Sequence, residues 1–219
     1  MRTLRNSLVL GAALAASGCY GYRGGWRSEA YVGTPPPAPA RTAGPAHVLD
    51  APLALPGVTI GVEIDNDLRT YDSQYYFGFV PLGWQPRDVY LRNHDPRRTQ
   101  VRLLVTPGDT AWTFDPSRAR LSFAGRSHAA VVGSELVQWD AQGREVGAPG
   151  QREQRVVTAP VALPARGKPH TLWLTFDTPT PAPTLTDIEL DLSQALSSPA
   201  HPLLPPIRFA PRRWRVGYT

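Results

Sequence analysis

The chain of 219 residues contains one cysteine, 24 prolines, and 23 basic against 18 acidic side chains, for a formal net charge of +5. A single thiol excludes internal disulfides and C-x-x-C metal or redox motifs, and proline at about twice its usual frequency disfavours long helices, coiled coils and helix bundles. A hydrophobic share of 42% still suffices for a packed core, and the length suits one domain of ordinary size.

The positive charge sits at the two ends. Arg2 and Arg5 open the chain, and Arg208, Arg212, Arg213 and Arg215 follow the last acid, Asp191. Without these six the formal +5 becomes −1 for residues 6–207. Every basic residue except Lys168 is arginine, a bias of composition rather than of phosphate contacts, so nucleic acid is not an expected partner.

Residues 1–18 read as an address. Arg2 and Arg5 form a basic n-region, and the apolar run Leu8 to Ala16 is too short to cross a bilayer core of about 30 Å as a helix. The run ends in Ala16-Ser17-Gly18-Cys19, which resembles the lipobox of bacterial lipoproteins. In that family small residues let the signal peptidase approach the backbone, and the invariant cysteine is acylated on sulfur before cleavage. The resemblance implies cleavage between Gly18 and Cys19, a lipidated Cys19 as first residue of the mature chain, and a membrane partner held through N-terminal acyl chains. Tyr20 in place of Asp implies sorting to the outer membrane. An ordinary secretory signal would leave Cys19 as a lone reactive thiol in an oxidising compartment, a liability that acylation removes.

Residues 19–49 change in character. Tyr20-Gly21-Tyr22-Arg23-Gly24-Gly25-Trp26 leads to Thr34-Pro35-Pro36-Pro37-Ala38-Pro39, with no apolar periodicity. Glycine-rich chain is flexible and Pro-Ala chain is extended, so a disordered tether is expected to hold a domain away from the membrane. Tyr20, Tyr22 and Trp26 also suit the headgroup level of a bilayer.

Residues 50–219 show short apolar runs separated by turn residues. Val58 to Ile64 alternates, and Tyr75 to Val80 is an aromatic run expected to stop at Pro81. Val89 to Leu91, Val101 to Val105, Trp112 to Phe114, Leu121 to Phe123, Ala129 to Val132 and Leu136 to Trp139 follow, the last leading into a hairpin loop at Asp140 to Gly143. Val156 to Leu163, His170 to Phe176, Ile188 to Leu192 and Trp214 to Tyr218 complete the set. Residues 185–196 admit a strand to Leu192 followed by a turn, which the pattern favours, or a short helix opened by Thr186-x-x-Glu189. The expected fold is all-β, an enlarged antiparallel sandwich of about nine to eleven strands. It resembles immunoglobulin-like domains in pattern alone, since the cysteine pair of antibody domains is absent.

Catalytic patterns are weak. Gly125-Arg126-Ser127-His128-Ala129 starts like a nucleophile elbow but lacks its last glycine and reads as a hairpin turn. Asp65-Asn66-Asp67 fails calcium-loop spacing, because Arg69 and Thr70 occupy the third-ligand and glycine places. His47, His94, His128, His170 and His201 are scattered, so neither metal nor cofactor is expected. Glu63 with Asp65, and Glu189 with Asp191, share strand faces as glycosidase carboxylates would, a spacing that solvated strands also produce.

Two clusters suit binding. Tyr71, Tyr75, Tyr76, Phe77, Phe79 and Trp84 concentrate aromatics, of which Tyr75, Tyr76, Phe77 and Trp84 are the candidate contacts. Arg212, Arg213 and Arg215 make a basic terminal strand suited to an anionic lipid or glycan, or simply an edge guarded against aggregation. The expected role is that of a lipid-anchored, non-catalytic envelope protein acting as a binding or structural component, with an envelope protein or a glycan as the candidate partner. A carbohydrate- or peptidoglycan-binding module comes second and an envelope hydrolase third.

Overall fold

A computed structural model of the chain describes residues 20–37, 52–76, 80–84, 88–92, 95–138, 153–165 and 168–218. These residues form sixteen strands and no α-helix. In chain order they are β1 (Tyr20–Tyr31), β2 (Leu53–Leu55), β3 (Val58–Ile64), β4 (Leu68–Tyr76), β5 (Val80–Trp84), β6 (Val89–Tyr90), β7 (Thr99–Pro107) and β8 (Trp112–Phe114). Then follow β9 (Arg120–Phe123), β10 (Arg126–Leu136), β11 (Gln154–Val157), β12 (Val161–Leu163), β13 (His170–Phe176), β14 (Glu189–Asp191), β15 (Leu196–Ser197) and β16 (Ile207–Tyr218). The expected all-β sandwich is present, with more strands than expected because several, such as β2, β6 and β15, are only two or three residues long.

Thirteen strands make one curled antiparallel sheet, with β2-β3-β7-β13 at one end of its path and β16-β1-β4-β5 at the other. β12-β8-β15 form a second, three-stranded sheet. The curl depends on β10, whose residues 126–129 pair with β9 while residues 130–136 pair with β13. Its register shifts between Ala130 and Val132. Such a bulge bends a strand and lets it pass from one layer to the other. The turn that starts β10, Ala124-Gly125, has φ of 49° and 71°, the left-handed pair that a two-residue hairpin requires. The elbow-like sequence is thus a hairpin, as its missing last glycine indicates.

Alternation builds the core. β13 is buried at every second residue from His170 to Phe176, and β7 follows the same rhythm. Leu103, Leu172, Leu174, Phe176, Leu121, Ile207 and Phe209 from the large sheet join Trp112, Phe114, Leu163 and Leu196 from the small one in a single core. Burying each such side chain contributes about 1.5–3 kcal/mol. Pro160 lies between β11 and β12, where its missing N–H ends the ladder. The expected run Val156 to Leu163 is therefore two strands, one in each sheet.

The segment 185–196 takes the strand-and-turn form. Ser193 N–H donates to Asp191 Oδ1 at 2.8 Å, while Ile188, Leu190, Leu192, Ala195 and Leu196 are all fully buried. A helix could not place those five in contact with both sheets. Glu189, the would-be capping residue, accepts from Arg208 at 3.1 Å instead.

Two expectations are corrected. Pro81 does not end an aromatic strand but lies inside β5, which pairs with β4 at the end of the sheet path. An edge strand tolerates proline because one row of its N–H groups has no ladder partner to lose. More consequentially, the sheet begins at Tyr20, and β1 takes up twelve residues of the stretch read as tether. β1 pairs with β16 from Gly21–Tyr218 to Tyr31–Arg208 and with β4 from Tyr20–Tyr75 to Trp26–Leu68. Its glycines serve close packing rather than flexibility. A Cβ on Gly24 would strike the Tyr71 hydroxyl, and one on Gly25 would strike the Leu68 carbonyl. Residues 38–51, Phe77, Phe79 and the expected loop Asp140 to Gly143 lie outside the described residues.

A substitution separates strand from spacer. Gly25→Ala is expected to lower unfolding free energy by about 1–3 kcal/mol through overpacking, whereas Gly83→Ala, which meets open space, changes it little. Urea titration of both variants measures the difference; equal midpoints would return β1 to the status of a spacer.

Candidate functional site

β1 joins two clusters that are 120 or more residues apart in sequence. Antiparallel register puts Tyr20, Tyr22, Gly24 and Trp26 on the same face as Tyr75, Ser73 and Tyr71 of β4 on one side. On the other side the same face carries Arg213, Arg215 and Gly217 of β16. Tyr20 stacks on Tyr75 with ring centroids 5.7 Å apart and meets Tyr22 edge-on at 5.6 Å. The Arg215 guanidinium lies 3.9 Å over the Tyr22 ring and that of Arg213 4.7 Å over Trp26. Each such contact is worth about 0.5–1 kcal/mol at an exposed site. The stacks hold the guanidiniums against the rings. Arg213 and Arg215 are exposed and the rings half-buried.

The candidate contacts read from the sequence divide on this face. Tyr75, Arg213 and Arg215 belong to it. Trp84 is opposite Ser73 in the register and Tyr76 opposite Val80; for these two only the backbone position is described, and Phe77 lies outside the described residues. Arg212 stands apart: it is on the other face, buried, and donates to Glu29 and to the Pro36 carbonyl. It fastens the chain after β1 onto β16. Tyr20, Tyr22 and Trp26 complete the face, and their alternation in Tyr20-x-Tyr22-x-x-x-Trp26 was the signal available in sequence, masked by the intervening glycines.

The reverse face at the free end of β16 is paired internally. Tyr218 donates to Asp72, an interaction that pushes the phenol above its ordinary range. Arg69 bridges Asp72 at 3.3 Å, and Trp214 is buried.

A second polar cluster lies on the outer side of β3 and β7. Glu63 faces Arg102 across the ladder, with Oε2 2.9 Å from its guanidinium, and is also paired with Arg92. Asp65, Gln100 and Trp173 complete a cleft of about 120 Å³. That is well below the roughly 300 Å³ at which small-molecule sites begin. Glu63 and Asp65 line the same cleft, but the Glu63 carboxylate is occupied by two arginines. Burial lowers the proton affinity of both Arg92 and Arg102, and their mutual charge lowers that of Arg92 further.

The Asp65-Asn66-Asp67 corner is structural. Asn66 is fully buried and its amide donates to Ser28 Oγ at 2.9 Å and Pro181 O at 3.1 Å, tying β1 to the β3–β4 turn. Burial pushes the Asp67 carboxyl up to about 6, against the pull of Arg27 and with a further push from Asp65.

Glu135 and His170 are both buried, 3.5 Å apart. Burial opposes the Glu135 charge, but hydrogen bonds from His170 and Arg155 outweigh it and hold this carboxyl below its ordinary range. His201 stacks on Trp112 at 5.6 Å and His128 on Phe123 at 5.3 Å. Among the described residues no three His, Cys, Asp or Glu side chains group to hold a metal ion. Comparison with family models, curated proteins and solved structures gave no match to the chain.

Asp67 gives the fold a pH dependence of definite sign. Its folded-state affinity for a proton exceeds that of the unfolded chain, so the folded state binds more protons between about pH 4 and 6. Its contribution to stability therefore falls as pH rises through that window, by on the order of 2–3 kcal/mol. Asp67→Asn is expected to flatten that fall, and urea midpoints at pH 4, 5, 6 and 7 measure it; parallel profiles for the two proteins would refute the assignment.

Proposed function

We propose that this protein is a lipid-anchored, non-catalytic component of a bacterial envelope, attached to the outer membrane through acyl chains on Cys19. The observation that carries the reading is Ala16-Ser17-Gly18-Cys19 at the end of a short apolar run with Arg2 and Arg5 ahead of it. Acyl chains contribute about 0.8 kcal/mol per buried CH₂, so two or three long chains hold far more firmly than one. The β-sandwich beyond Cys19 is a rigid body suited to presenting a surface, and the aromatic–arginine face of β16-β1-β4 is the surface it presents.

A second reading, a carbohydrate- or peptidoglycan-binding module, is favoured by one observation. Tyr20, Tyr22, Tyr75 and Trp26 are half-buried on this face and do not belong to the core between the sheets. Flat rings at a surface stack on sugars.

Metabolic labelling tests the anchor. The native protein is expected to incorporate labelled palmitate and to fractionate with outer membrane, and Cys19→Ala to lose the label and leave the membrane fraction. Label retained on Cys19→Ala would sink the anchoring claim. Binding of purified peptidoglycan fragments, lost in Tyr22→Ala and Tyr75→Ala, would select the glycan reading.

A further inference from the structure

We propose that the face formed by Tyr20, Tyr22, Trp26, Tyr75, Arg213 and Arg215 docks on an anionic phospholipid surface and lays the sandwich against the bilayer. Its orientation rests on the anchoring reading; its affinity for lipid does not.

Three observations support this. The first is position. β1 begins at Tyr20, immediately after the residue that would carry the acyl chains, so no spacer separates anchor from sheet. A strand rises about 3.3 Å per residue, which keeps Tyr20 and Tyr22 within the depth of the headgroup layer when Cys19 is at the membrane.

The second is chemistry. Tyr and Trp rings have an apolar body and a polar edge and are enriched at that depth. Guanidiniums stacked on rings are held at this face, and the planar donor pairs of a guanidinium match phosphate oxygens.

The third is charge. The described register positions of this face carry two arginines and no carboxylate. Residues 6–207 carry a net −1, so the positive excess of the chain beyond Cys19 comes from the last strand, where Arg213 and Arg215 sit. A juxtamembrane arginine contributes about fivefold in partition to an anionic surface.

Co-sedimentation of the full chain bearing Cys19→Ala with phosphatidylcholine vesicles, with and without phosphatidylglycerol, tests the face without acyl chains. The N-terminal apolar run and Arg2 and Arg5 are common to every variant, so the comparison between variants decides. Phosphatidylglycerol is expected to raise binding and added salt to abolish the increase. Arg213→Gln with Arg215→Gln is expected to reduce binding to the anionic vesicles by about tenfold or more. Arg213→Lys with Arg215→Lys should keep most of it, and Arg97→Gln with Arg126→Gln, exposed residues elsewhere on the domain, should leave it unchanged. Matched urea midpoints establish that the variants are folded.

Equal binding to both vesicle types, or equal loss from the two glutamine pairs, would overturn the proposal. So would capture of peptidoglycan fragments by this face with no response to phosphatidylglycerol. Because the assayed chain has no acylated cysteine, failure here leaves palmitate labelling of Cys19 as a separate result, and failure of labelling leaves the vesicle result standing.

Discussion

The ladder between β1 and β16 is the constraint on which the molecule's functional surface depends. It joins the first described residues of the chain to the last, residue against residue, from Gly21–Tyr218 to Tyr31–Arg208. Loop closure over that separation costs entropy that grows only slowly with length, and a long uninterrupted ladder offsets it. Without this pairing β1, β4 and β5 would be cut off from the rest of the sheet, Trp214 would lose its hydrogen bond to the Trp26 carbonyl, and the arginines of β16 would lie on an open edge.

The same ladder explains why glycine is so frequent in β1. Three of the first six residues are glycine, and in a strand they would ordinarily weaken pairing. Here aromatic rings from the neighbouring strands lie across them: Tyr71 over Gly24 and Tyr218 over Gly21. Small residues in one strand make room for large ones in the next, and the Tyr218 ring in turn supports the guanidinium of Arg23. Packing and surface chemistry in this region are one arrangement.

Charged groups on the body of the sandwich are largely absorbed in holding it together. Arg102 and Arg92 meet Glu63, Arg155 and His170 meet Glu135, and Arg212 meets Glu29. Removing one partner from such a pair leaves a charge in a poorly solvated place, which costs more than the pair itself contributes. These clusters are where an enzymatic reading would look first, and their geometry is that of cross-strand and inter-layer fasteners. Arg213 and Arg215 differ in being stacked on rings at an exposed face.

The strand pattern was legible in the residues themselves. Alternation in Val58–Ile64 and His170–Phe176 fixed both the element and its buried side, because a period of two has only one face to bury. The hairpin at Ala124-Gly125 and the strand-then-turn at 189–195 were equally local, set by turn chemistry and by five apolar residues that one helix could not bury. The lipobox resemblance is likewise a property of contiguous residues. Partners were not local. The alternation of Tyr20, Tyr22 and Trp26 does not separate a strand from a glycine-rich spacer until β4 and β16 lie on either side of it, since the reason for each glycine is a ring or a backbone carbonyl from another part of the chain. For the same reason the aromatic cluster and the terminal arginines, separate in sequence, became one face only through a strand between them, and Arg212, which alternation puts on the opposite face from Arg213 and Arg215, met Glu29 only through that strand.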